Sequence, residues 1–120
     1  MGYSIQLEIS LHNTDPNRTR GKHWSQIRKT GNAIKREIAL LSKGNRPKTP
    51  LDKFKIKIVR HAVKEMDWDN LVASLKPAID ALHLSQIIKN DSWKYIRFID
   101  IVQVKSKTER KLVITVEEIQ

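Results

Sequence analysis

Asp67-Trp68-Asp69-Asn70, followed by Lys76, Asp80, Asp91 and Asp100, are the residues whose types and spacing best suit chemistry. Carboxylates two positions apart offer oxygen ligands to a hard cation such as Mg2+, which takes one or two of them plus waters and substrate phosphate. A cation held there would activate water and neutralise charge growing on phosphorus oxygens. Lys76 cannot ligate metal; its natural task is to stabilise that same negative charge, or the leaving oxygen. A plainer reading stands beside this one. Asp69 and Asn70 would then only cap a helix, and Lys76 and Asp80 would form an i,i+4 ion pair worth ~0.3–0.5 kcal/mol.

The rest of the chain is strongly basic, with 23 Lys and Arg against 13 Asp and Glu and a formal net charge of +10 over 120 residues. From Pro16 to Arg60 there are 14 basic residues against Glu37 and Asp52 alone. From His61 to Ser92 five acids face Lys64, Lys76 and Lys89. A basic half favours a polyanionic partner through counterion release. The arginines and lysines Arg18, Arg20, Lys22, Arg28 and Lys29 are candidate phosphate clamps, though their spacing matches no base-reading motif. Trp68 and Trp93 are candidates for stacking on exposed bases, with core or rim packing an alternative of at least equal weight, and Trp24 fits a core stripe.

Cysteine is absent, which removes disulfides, zinc-thiolate sites and thiol nucleophiles. The N-terminus lacks the apolar run of a signal peptide, and no stretch approaches the ~20 apolar residues of a membrane span. A soluble cytoplasmic protein without a membrane partner is expected. At this length a single domain with one modest core is expected.

The elements that must position the acids follow from periodicity. Ile5, Leu7 and Ile9 alternate with polar residues, predicting a strand over Tyr3–Ser10. A helix is expected from about Lys22 to Gly44, with Gly31 weakening its middle. Phe54, Ile56 and Ile58 predict a second strand ending near His61. Asp67 and Asp69 would leave that strand on one side if extended geometry persists. Asp69 or Asn70 then caps a helix reaching about His83. Leu71, Leu75, Ala78, Ile79 and Leu82 fall on one stripe of that helix, and Asp69, Lys76 and Asp80 on the opposite face. Pro77 is either an interior helix break or a first-turn proline of a helix starting near Lys76. Strands over Tyr95–Val104 and Leu112–Val116, joined by polar Lys105–Arg110, suggest a hairpin. Asp91 reads as a turn residue within Asn90-Asp91-Ser92. Asp100 shares a strand face with Ile96, Phe98, Val102 and Val104, where a buried carboxylate would need a partner. The order strand-helix-strand-helix-strand-strand predicts an α+β fold with a mixed four-stranded sheet.

Three pieces together carry a resemblance: Asp67-Trp68-Asp69-Asn70-Leu71, Lys76-Pro77-Ala78-Ile79-Asp80-Ala81-Leu82 and Asn90-Asp91-Ser92. With them the chain resembles the RusA-type Holliday junction resolvases of bacteria and their phages. Asn17-Arg18-Thr19-Arg20 and His23-Trp24 are similar to the basic N-terminal stretch of phage members, so the likeness spans most of the chain. It implies a small α+β homodimer that binds four-way DNA junctions and nicks them symmetrically with Mg2+, or with Mn2+ in its place, in recombination and repair. By the resemblance, Asp67, Asp69 and Asp91 become the metal-binding and catalytic acids and Lys76 the catalytic lysine. Asp80 matches a recurrent position of unassigned role. Two departures stand out. Asn90 replaces the first acid of an Asp-Asp pair, and Lys76 lies about one helical turn farther from Asp69 than in the archetype. A non-catalytic basic DNA-binding module, with the acids kept for capping, is the principal alternative; a metal phosphohydrolase of small substrates is a third.

Overall fold

A computed structural model describes residues 2–11, 24–90, 92 and 96–119, with backbone alone at 24–30, 96 and 97. Six elements follow in chain order: β1 (Ser4–Ser10), α1 (Trp24–Ser42), β2 (Phe54–Ala62), α2 (Trp68–Leu84), β3 (Ile96–Lys105) and β4 (Lys111–Glu118). They form the expected α+β arrangement, a mixed four-stranded sheet with two helices.

Strict alternation makes the sheet two-faced. Ile5, Leu7 and Ile9 of β1, Phe54, Ile56 and Ile58 of β2, and Leu112, Ile114 and Val116 of β4 are all buried. Their neighbours Gln6, Glu8, Lys55 and Lys57 are exposed on the opposite face. The apolar face packs under Ile34 and Ile38 of α1 and Leu71, Leu75, Ala78 and Leu82 of α2, all in one buried cluster. Burial of the Val, Leu, Ile and Phe side chains among them contributes roughly 1.5–3 kcal/mol each.

The sheet order is β1-β4-β2-β3, so the hairpin expected between the last two strands does not form. β3 runs parallel to β2, as a strand returning through a crossover helix must. β4 instead pairs antiparallel with β1 and with the other edge of β2. The link between them crosses the end of β2. It is anchored there by the Ser106 amide donating to the Ala62 carbonyl at 2.8 Å, and it is turned by Ser106 Oγ, which accepts from the Thr108 and Glu109 amides. Two strand spacings are ~9.6 Å, a gap that a five-residue link spans easily. A short polar link therefore fits either topology.

Pro77 lies inside α2, well past its first turn. A Cβ added at Gly31 of α1 would sit 3.2 Å from Pro77 Cγ and 3.4 Å from its Cβ. The glycine that weakens α1 locally is thus a point where the two helices approach closely, around the proline ring. After α2 the chain turns at Ser85 and at Gln86, whose φ is +62°. Ile87 and Ile88 are then fully buried, and Leu51 bridges to Ile88 in parallel fashion. The helical stripe gave no sign of these two isoleucines. At the end of α1, Arg46 donates from Nη2 to the Ala39 carbonyl and from Nε to Ser42 Oγ, satisfying groups that the helix end leaves open.

Candidate metal and nucleic-acid site

The chain leaves β2 at Ala62 and enters α2 at Trp68, with Asp67 as the N-cap. The cap was expected two or three residues later. Extended geometry therefore does not persist to Asp69, which stands in the first helical turn. Asp69 has helical backbone, whose Cα–Cβ bond tilts toward the N-terminus of α2.

Asp67 has extended backbone, φ −64° and ψ 154°, yet its side chain makes no cap hydrogen bond. A capping aspartate accepts from the amide two or three residues on; Asp67 leaves both oxygens for other partners. Asp69 is likewise exposed. Between them Trp68 is 69 % exposed. The indole is thus not core packing, and it stands between the two acids in the chain. Two open carboxylates at one helix end match the donor set of Mg2+ or Mn2+, which completes its shell with waters and phosphate. The positive end of the helix dipole favours anionic groups at the same place.

Lys76 lies on the exposed face of α2, about 10 Å along the axis from Asp69 at 1.5 Å per residue. Asp80 is half-buried on the same helix. Asp91 lies outside the described residues, so its side chain cannot be added to the pair. Its neighbours Asn90 and Ser92 are described, and the Ser92 amide donates to Asn90 Oδ1 at 2.8 Å. The asparagine that replaces an expected acid therefore uses its side-chain oxygen to hold the backbone two residues on. These neighbours follow the C-terminal end of α2, whose 17 residues measure about 25 Å. Within one copy the helix stands between them and Asp67. Among the described residues there is no group of three or more His, Asp or Glu able to hold a metal. Asp100 proves exposed rather than buried; its register partner on β2 is Lys57, so the strand face it shares demands no buried counter-ion.

Of the candidate phosphate clamps, Arg18, Arg20 and Lys22 lie outside the described residues. Arg28 and Lys29 fall in the first turns of α1, where the backbone alone is described. No helix among the described residues is long and apolar enough to cross a membrane.

Two residues that the acid motif did not point to hold the approach to this site. Arg60 is only 7 % exposed, and its Nη1 donates to the Lys64 carbonyl at 2.9 Å and to Gln103 Oε1 at 3.2 Å. Gln103 also accepts from the Met66 amide at 2.8 Å and donates from Nε2 to the Met66 carbonyl at 3.0 Å. Flipping the Gln103 amide would break every one of its bonds, so its orientation is determined by its partners. Burial pushes the Arg60 guanidinium down from its usual range, without bringing its charge into question. The signal was present in the sequence: Arg60 continues the inward series Phe54, Ile56, Ile58, and Gln103 interrupts Ile101-Val102-Gln103-Val104.

No family model matches the chain, and no curated protein matches it either.

Proposed function

We propose that this protein is a metal-dependent, structure-selective DNA endonuclease that nicks four-way or similarly branched DNA as a homodimer. The single observation that carries the proposal is the start of α2, where the uncapped carboxylate of Asp67 and exposed Asp69 flank an exposed indole in a chain of net charge +10. The resemblance of its motifs to RusA-type resolvases supports the same reading. Asp67 and Asp69 hold Mg2+, or Mn2+ in its place, and the ion supplies an acidified water and charge neutralisation at phosphate. Lys76 meets negative charge on the phosphate or the leaving oxygen. The basic segment containing Arg18, Arg20, Lys22, Arg28 and Lys29 grips backbone phosphates and fixes register. Asp91, the third acid of the motif, could meet Asp67 and Asp69 only from the second copy of the dimer, because its neighbours Asn90 and Ser92 follow the far end of α2.

Paired cuts across a near-symmetric junction require two sites, which a twofold dimer provides. β3 stands at the end of the sheet and exposes Phe98, Val102 and Val104. A long apolar edge strand is a liability for a free monomer, and a second copy would relieve it.

Asp69→Asn should abolish metal-dependent nicking of a four-way junction while leaving junction binding intact or tighter, read by gel shift and product analysis on the same DNA. Full nicking by this variant with Mg2+ rejects the assignment. The competing reading, a non-catalytic basic module, expects junction binding and no metal-dependent product from the unaltered protein.

A further inference from the structure

We infer that Gln103, braced by Arg60, is a positioning residue that sets the angle at which Asp67 and Asp69 meet a divalent cation. The inference rests on the metal-site reading above and assigns that site a support on another strand. Gln103 belongs to β3 and is register partner of Arg60 on β2. From there its amide grips both the N–H and the C=O of Met66, the residue immediately before the Asp67 cap. Arg60 holds Lys64 two residues earlier. The loop from β2 to α2 is therefore tied to the sheet at two points. Met66 itself packs against the core cluster, which closes the third side.

The geometry differs from ordinary loop anchoring in its direction. Ligand carboxylates are commonly aimed by hydrogen bonds one shell out, and removing such a partner typically weakens metal binding 10- to 100-fold. Asp67 receives no hydrogen bond through its side chain as a cap. Its orientation comes through the backbone, which enters the helix with the Leu71 amide donating to the Asp67 carbonyl at 2.8 Å. A loop fastened at Met66 fixes where that first helical hydrogen bond begins. Released from Gln103, the Met66 peptide would be free to rotate, and the cap would wander with it.

The test is Mn2+ binding to the full chain, followed by electron paramagnetic resonance of the free ion. Gln103→Met keeps side-chain length and removes both hydrogen bonds to Met66. It should bind Mn2+ about 10- to 100-fold more weakly and exchange the Met66 amide proton faster, while binding junction DNA normally without metal. Val116→Ala, a core truncation in β4 far from the loop in the chain, serves as the stability control and should lose stability but keep Mn2+ affinity. If Gln103→Met fails to fold, Gln103→Asn, too short to span both Met66 groups, is read by the same criteria. Mn2+ affinity within about twofold of the unaltered protein overturns the positioning role alone. Equal Mn2+ binding by the unaltered protein and by an Asp67→Asn, Asp69→Asn double variant overturns the metal site and the positioning role together.

Discussion

Trp68 can be interrogated with little collateral effect, because an indole 69 % exposed contributes little to the core. Stacking of a base on an aromatic ring is worth ~1–3 kcal/mol, and a branch point offers bases that are already partly unstacked. Trp68→Ala is expected to weaken junction binding roughly ten- to a hundredfold, measured by fluorescence anisotropy, with fully paired linear DNA much less affected. Unchanged junction affinity would remove the indole from the interface. Asp67 marks the other residue-scale point. An aspartate at an N-cap is ordinarily explained by the helix it starts, yet here the carboxylate makes no cap bond.

At the scale of elements, α1 and α2 meet through Gly31 and Pro77. In an open helix Gly→Ala gains about 1 kcal/mol from propensity. Here the added methyl meets a proline ring fused to the α2 backbone, which cannot swing aside as a flexible side chain would, and overpacking typically costs 1–3 kcal/mol. Gly31→Ala should therefore lower stability by about 1 kcal/mol in urea unfolding rather than raise it. A gain of about 1 kcal/mol would mean that the helices are not in this contact. The sheet edges contrast in the same way. β1 carries Glu8 outward, bound to Lys111 Nζ at 2.7 Å. The hydrogen bond from Lys111 holds the Glu8 carboxyl below its ordinary value, and a charged edge of this kind discourages pairing. β3 carries apolar side chains instead.

Over the whole molecule that asymmetry becomes a statement about assembly. One edge is blunted by charge, while the other leaves Phe98 62 % exposed. In the homodimer proposed above, Phe98→Asp is expected to shift the species from dimer toward monomer in sedimentation velocity. Paired nicking should become single nicking or be lost. A dimer of undiminished affinity in that variant would move the interface away from β3. The charge distribution complements this arrangement: a basic N-terminal half to hold phosphate precedes the acidic stretch that surrounds the start of α2.

The sequence by itself determined the elements, their order and their buried faces. Ile5, Leu7, Ile9 and Leu71, Leu75, Ala78, Leu82 are periodic, and periodicity is local information. It likewise marked Asp67, Asp69 and Lys76 by type and spacing. Only the tertiary structure decided what lies beside what. β4 pairs with β1 and β2 instead of β3 because strand partners are chosen by a sheet that the five-residue link cannot specify. Gly31 met Pro77, Leu51 met Ile88, and Gln103 met Met66 across 37 residues. Such contacts join residues remote in the chain, and no pattern within one element encodes them.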